Sequence, residues 1–143
     1  MSRFQILVLN GPNLNLLGTR EPEVYGAATL DDLVSDLRKR FPDLDIADVQ
    51  SNDEGALIDA IQDYGSRFNG IVFNPGGYAH TSVAIRDAVS AIAAPVIEVH
   101  ISNIHAREEF RNISIVGGAC KAVISGLGLS GYAVAIAHLK SLS

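Results

Sequence analysis

The sequence lacks several features that define particular classes of protein. It contains a single cysteine, Cys120, which cannot form a disulfide within the chain and whose apolar neighbours are typical of a packed thiol. Its longest apolar runs fall far short of the roughly 20 residues that cross a bilayer as a helix. No basic segment followed by an apolar stretch opens the chain, so no secretory signal pattern is present. We therefore expect a cytoplasmic protein with no membrane partner.

Positive charge is also scarce. The formal net charge is -5 at pH 7, and the longest basic run is Arg38-Lys39-Arg40. This run closes a segment of helical periodicity, where cations complement the helix dipole, so we predict no nucleic-acid partner. No linker, low-complexity tract or repeat divides the chain, and we expect one domain over residues 1–143. A domain of this size buries roughly 70% of the surface of its unfolded chain, enough for a sizeable core.

Short apolar runs alternate with segments of helical periodicity along the chain. The first run, residues 4–9, is apolar almost throughout, as expected of a strand buried on both faces. Further strands are predicted at residues 44–49, 70–73, 95–99 and 122–125, and the last helix over residues 131–142. This alternation predicts an α/β fold: a flavodoxin-like, doubly wound, five-stranded parallel sheet with helices on both faces.

Capping residues mark where the helices begin. Thr29 precedes the first apolar helical stripe, and Pro42 ends it. Residues 51–54 have the spacing of a capping box and predict the start of the second helix. Thr81 or Ser82 is predicted to cap the third.

Polar residues follow three of the predicted strands. The first strand runs into residues 10–26, a loop much longer than the roughly 2–6 residues usual between a strand and a helix. The third ends in the segment 74–80, and the fourth in the segment 98–103. Each motif alone has an ordinary explanation as a turn or a structural histidine. Because ligands of doubly wound folds bind beyond the carboxyl ends of the strands, their convergence predicts a site there.

The residues at these strand ends suit proton transfer. No G-x-S-x-G motif, Walker loop or G-x-G-x-x-G fingerprint occurs, and the histidines lack metal-site spacing, so we expect neither cofactor nor metal. Arg20 and Tyr25 share the long loop. A phenol is a poor base at neutral pH, but an adjacent guanidinium favours the phenolate. With His100 as the complementary acid, these residues suit proton abstraction followed by elimination.

At these residues the chain resembles the type II 3-dehydroquinate dehydratase family. The similar motifs follow in order from the first strand to the last helix. They lie at residues 9–15, 18–22, 25–26, 74–77, 80–82, 84–88, 98–103, 107–108, 110–111, 126–128 and 131–132. The resemblance implies the dehydration of 3-dehydroquinate to 3-dehydroshikimate through an enolate, a step of the shikimate pathway, without metal or cofactor. Tyr25 would be the base, Arg20 would keep it in its basic form, and His100 would protonate the departing hydroxyl.

The resemblance also implies which residues bind the substrate and support the site. The substrate-binding positions are Asn74, His80, Asp87, Ile101, Ser102 and Arg111. The supporting positions are Asn13, Gly76, Gly77, Glu98 and Arg107. From its position in the sequence, Asp87 is expected to be a solvent-exposed carboxylate on a helix. Only the motif match implies that it binds substrate, in its own or a neighbouring subunit. Glu98, a carboxylate in an apolar strand, needs a partner because its burial is costly, and we expect it to support the site electrostatically.

The family assembles as a homododecamer, a tetramer of trimers, and the resemblance implies the same assembly here. Residues 131–139 are apolar nearly all round, and such a helix is usually buried on more than one side.

Two alternatives remain. The first is dehydration through a lysine imine, as in the unrelated type I enzymes, but Lys39, Lys121 and Lys140 all lie away from the predicted strand ends. The second is a flavodoxin-like binding or signalling module. A phosphoacceptor would need acidic residues at Asn10, and a flavin module would need a hydroxyl- and glycine-rich loop after it.

Overall fold

A parallel sheet of five strands forms the centre of the molecule in a computed structural model, which describes residues 3–19, 23 and 26–143. The strands are β1 (Gln5–Asn10), β2 (Asp45–Gln50), β3 (Gly70–Asn74), β4 (Val96–His100) and β5 (Ala122–Ser125). Their order is β2-β1-β3-β4-β5, and every neighbouring pair is parallel. The order reverses between β1 and β3, whose last residues, Asn10 and Asn74, are paired in register. The predicted flavodoxin-like doubly wound fold is confirmed.

Within the described part of the chain, four long α-helices cover the two faces of the sheet. They are α1 (Leu30–Arg40), α2 (Glu54–Gly65), α3 (Val83–Ala91) and α4 (Ser130–Ser141). Alternate residues of a strand point to opposite faces, so Ile6 and Val8 pack with α1 and α4, whereas Leu7 and Leu9 pack with α2 and α3. The continuous apolar run of β1 is therefore explained by burial on both sides.

The helix starts follow the predicted caps with one exception. Thr29 caps α1 in a reciprocal capping box with Asp32, and Ser82 rather than Thr81 caps α3. The capping box predicted at residues 51–54 is wrong. Asp53 is the cap of α2, and Ser51 instead accepts a hydrogen bond from the Asp53 backbone. An aspartate immediately before the helix reaches its free N–H groups, whereas Ser51 lies too far outside.

The strand bounds differ from the predicted ones where they matter for function. β4 continues through His100, one residue beyond the predicted end. Because side chains alternate along a strand, Glu98 and His100 point to the same side of the sheet. Among the described residues, no helix is long and apolar enough to cross a membrane.

Candidate active site

A cavity of about 160 Å³ opens beyond the carboxyl ends of β1, β3 and β4. We call it the strand-end cavity. Ten of the predicted site residues line it: Asn13, Asn74, Gly76, Gly77, His80, His100, Ile101, Ser102, Arg107 and Arg111. Apolar residues that the sequence analysis did not assign complete the wall: Pro12, Leu14, Leu16, Leu17 and Ile104. Their position after the strand ends was the available signal, but apolar residues in loops carry no chemical signature.

Four predicted site residues are not among those that line the cavity. Arg20 and Tyr25 lie outside the described residues. Asp87 is exposed on α3, away from the cavity of its own chain. Glu98 is fully buried, and its carboxylate contacts His100, which lines the cavity.

Two glycines allow the loops after β1 and β3 to meet. Gly11 donates its backbone N–H to the Asn74 carbonyl at 2.7 Å, and a Cβ on Gly11 would lie 2.5 Å from the Pro75 oxygen. Gly76 has a φ of 61°, in the left-handed region that glycine adopts at little cost. A bulkier residue at either position would push the two loops apart, so these glycines shape one wall of the cavity.

The side chain of Asn74 is held at both ends. Its Oδ1 accepts a hydrogen bond from Gly76 N at 3.1 Å, and its Nδ2 donates one to Tyr132 Oη at 3.0 Å. Tyr132 in turn donates its hydroxyl proton to Asn10 Oδ1. Burial raises the pKa of Tyr132 well above the ordinary phenol value, and the Asn74 hydrogen bond offsets this only in part. Tyr132 is therefore a neutral hydroxyl that orients Asn74, a role with no local sequence signal.

His100 is backed by a buried carboxylate. Its Nε2 lies 2.6 Å from Glu98 Oε2, and the two side chains are 7% and 0% exposed. An ionised carboxylate can only accept, so Nε2 carries a proton and Nδ1 is the ring nitrogen not engaged with Glu98. The same carboxylate oxygen accepts a hydrogen bond from Ser114 Oγ at 2.6 Å. This arrangement fixes both the tautomer and the ring orientation of the histidine.

His80 lies beside His100, with the ring centroids 6.1 Å apart and the rings stacked. Its Nδ1 is 2.9 Å from the backbone oxygen of Ile113. A carbonyl only accepts, so Nδ1 carries the proton and Nε2 is left for another partner. The two histidines are therefore held differently, one by a carboxylate and one by the backbone.

Two guanidinium groups, those of Arg107 and Arg111, form part of the cavity wall. Arg107 donates to Ser102 Oγ at 3.4 Å, and Arg111 pairs with Glu108 at 3.1 Å. The hydrogen bond from Arg111 is the main cause that lowers the pKa of Glu108. Arg107 lies 3.8 Å from the same carboxylate, so two cations share one anion at this wall. An excess of positive charge suits a substrate that carries a carboxylate.

In the ranges that the structure describes, no three His, Cys, Asp or Glu side chains are grouped as a metal site would require. The polar groups at the cavity are instead two histidines, amides, a serine and guanidiniums. These groups can donate and accept protons and bind oxygen atoms.

The sequence matches a family model described as dehydroquinase class II over residues 4–140. It is 56% identical to the 3-dehydroquinate dehydratase of an Exiguobacterium species, covering 93% of this chain and 92% of that protein. It is 53% identical to the 3-dehydroquinate dehydratase of Bacillus subtilis, covering 94% and 93% of the two chains. The fold is similar to the crystal structure of a type II dehydroquinase from Butyrivibrio crossotus, with a TM-score of 0.94 at 46% identity, over 98% of this chain and 99% of that one.

Proposed function

Since this chain belongs to the class II dehydroquinase family, we propose that it removes water from 3-dehydroquinate to give 3-dehydroshikimate, as a type II 3-dehydroquinate dehydratase of the shikimate pathway. A base takes the proton from the carbon next to the substrate ketone, and an enolate forms. The hydroxyl on the neighbouring carbon then leaves as water after an acid protonates it. The observation that carries the proposal is His100, which is bound to the buried Glu98 and lines a cavity with cationic groups.

His100 is the acid in this proposal. It lines the strand-end cavity, and its Nε2–H is bound to Glu98. The acid is therefore the imidazolium form, whose Nδ1–H would protonate the departing hydroxyl and leave the neutral ring bound to Glu98. A positioned acid of this kind contributes about 10²–10⁴-fold to a rate. Glu98 stays behind the ring, where it stabilises the histidine rather than contacting the substrate.

Tyr25, held as phenolate by Arg20, is the proposed base. The other three tyrosines of the chain support this assignment, because each makes contacts that leave it unsuited to act as the base. Tyr64 packs edge-on against Phe68, and Tyr78 donates its hydroxyl to the Asn52 carbonyl. Tyr132 is a buried, neutral phenol with both of its hydrogen bonds made.

The remaining cavity residues suit recognition of a polyhydroxylated carboxylate. We assign the carboxylate to Ser102 and the Ile101 backbone, near the Arg107 guanidinium. Asn74, His80 and Arg111 would bind hydroxyl groups, and a water near Asn13 and Asn74 would stabilise the enolate oxygen. Gly76 and Gly77 let the backbone approach the ligand, and a Cβ on Gly77 would meet no atom within 4 Å.

We propose a cytoplasmic homododecamer built as a tetramer of trimers. Two features of α3 and its surroundings support contacts between copies. Val83 is 58% exposed and Ile113 is 73% exposed, both large apolar side chains. Asp87, exposed on the same helix, would then bind substrate in a neighbouring subunit. Sedimentation velocity of the purified protein tests the assembly, and a monomer at assay concentration would contradict it.

The direct test is an assay with 3-dehydroquinate as the only substrate, following the ultraviolet absorbance of the conjugated enone product. We expect turnover with no added metal or cofactor and no loss of activity after treatment with a chelator. Absence of turnover by well-folded protein would refute the proposed function.

A further inference from the structure

Ser114 contacts the carboxylate that backs His100, although none of the sequence motifs includes it. Its Oγ donates to Glu98 Oε2 at 2.6 Å and accepts from Gly117 N at 2.9 Å. His100 Nε2 donates to the same Glu98 oxygen at 2.6 Å. We propose that Ser114 is a positioning residue for the dehydration, which holds Glu98 in the orientation that fixes His100. The proposal rests on the proposed function of His100 as the acid.

The direction of the Ser114 hydroxyl is determined by its neighbours. The Gly117 N–H donates to Oγ, so the single hydroxyl proton is left for an acceptor. Glu98 Oε2 at 2.6 Å is a much better acceptor than the Ala79 carbonyl at 3.5 Å. A Cβ on Gly117 would lie 3.0 Å from Ser114 Oγ and 2.9 Å from a Val123 methyl. The absence of a side chain at residue 117 therefore permits the close approach that orients the hydroxyl.

Glu98 depends on these two hydrogen bonds. The carboxylate is fully buried, and among the described residues its Oε1 has no hydrogen-bond partner. The hydrogen bonds from His100 and Ser114 are therefore both accepted by Oε2. A buried carboxylate that loses a donor becomes less stable and freer to rotate about its terminal bond. Loss of the Ser114 hydroxyl would therefore change the orientation of the His100 ring rather than the contacts with the substrate.

A purely structural role makes different predictions. Ser114 also closes the turn that leads into the short 3-10 segment Val116–Ala119, so its removal could simply destabilise that turn. A structural defect would lower the unfolding free energy. It would not selectively reduce the turnover of molecules that remain folded.

The chain provides a matched control. Ser82 Oγ also donates to a carboxylate, Glu54 Oε2 at 2.5 Å, and accepts from a backbone N–H, that of Ile85 at 3.0 Å. Ser82 caps α3 and contacts neither Glu98 nor His100 in these hydrogen bonds. Ser82→Ala therefore removes the same kind of contact without touching the Glu98–His100 pair.

The experiment compares kcat and KM for the wild type, Ser114→Ala, Ser114→Thr and Ser82→Ala, each with its thermal unfolding curve. We expect Ser114→Ala to lower kcat by about tenfold or more while KM changes by less than about twofold. Ser114→Thr keeps the hydroxyl and should recover most of the lost kcat. Ser82→Ala should lower the unfolding temperature and leave kcat near that of the wild type.

The outcomes separate this inference from the proposed function. An inactive wild type would refute the function itself. An active wild type with an inactive His100→Ala variant but a fully active Ser114→Ala variant would overturn only the role of Ser114. Equal kcat losses in Ser114→Ala and Ser82→Ala, or a loss confined to KM, would also overturn it.

Discussion

The hydroxyl of Tyr132 accepts a hydrogen bond from the side-chain amide of Asn74 at 3.0 Å, which joins the last helix to the end of a central strand. The same hydroxyl donates to Asn10 at the end of β1. Asn10 Nδ2 is buried, and it has no partner among the described residues. The orientation of Asn74 therefore depends on a hydrogen-bond network in which one donor, Asn10 Nδ2, already lacks a partner among the described residues.

Removal of the Tyr132 hydroxyl should affect both stability and substrate binding. Tyr132→Phe leaves buried groups of Asn74 and Asn10 unpaired, so we expect a loss of about 1–3 kcal/mol in unfolding free energy. The freed Asn74 amide should also raise KM. Urea denaturation and steady-state kinetics measure the two effects. Tyr78→Phe, which removes an exposed hydrogen bond to Asn52, is the control and should change little.

The proposed acid and base should be needed for the chemical step and not for binding. We expect Tyr25→Phe and His100→Ala each to lower kcat by about two to four powers of ten, because a positioned acid or base is removed. Calorimetric titration of the inactive variants with substrate should still show binding. Near-normal turnover of Tyr25→Phe would exclude it as the base.

No lysine should take part in the reaction. None of the three lysines lines the described part of the strand-end cavity, and Lys140 pairs with Asp43 at 2.7 Å. Treatment with borohydride in the presence of substrate should therefore leave the activity and the mass of the protein unchanged. Capture of a substrate adduct in the mass spectrum would instead favour the imine mechanism.

The thiol of Cys120 should be inert in the folded protein. Burial, together with a smaller effect of the nearby Glu98 charge, raises the pKa of the thiol to about 12. Since the thiolate is the nucleophile, we expect a thiol reagent at pH 8 to label native protein slowly and denatured protein quickly. Rapid labelling of native protein would show that the thiol is accessible and its environment different.

The capping box of α1 should contribute more to stability at neutral pH than at acidic pH. The backbone N–H and the hydroxyl of Thr29 lower the pKa of Asp32. A carboxyl with a lowered folded-state pKa stabilises the fold above its unfolded pKa, near 4, and the contribution disappears as the pH falls through the folded value. Thr29→Ala should cost about 1 kcal/mol at pH 7, and denaturant titrations at pH 7 and pH 2.5 should show the difference shrinking.

The sequence predicts the sheet well because burial on two faces leaves a local signature. The apolar run of β1 and the apolar stripe of α1 can be recognised in the sequence without knowing their neighbours, and so can the polar residues after three of the strands. The extension of β4 to His100 cannot be predicted from the sequence of that strand, because it depends on pairing with Ser125 of β5. Register is set between strands rather than within one.

The parts of the site that the sequence did not predict are those formed by distant contacts. Ser114 and Tyr132 lie 16 and 58 residues from Glu98 and Asn74, their respective partners. A serine in a loop and a tyrosine on an apolar helix have many ordinary explanations. Only the folded chain brings these hydroxyls to the groups they orient.

The place of Tyr132 in the chain has a consequence for biosynthesis. Four of the five strands precede residue 122, so most of the sheet is available before the final helix is translated. Asn74 nevertheless acquires its orienting partner only when residue 132 has left the ribosome. A nascent polypeptide can therefore pair most of its strands early, whereas the Asn74 amide is oriented only after α4 has emerged and docked.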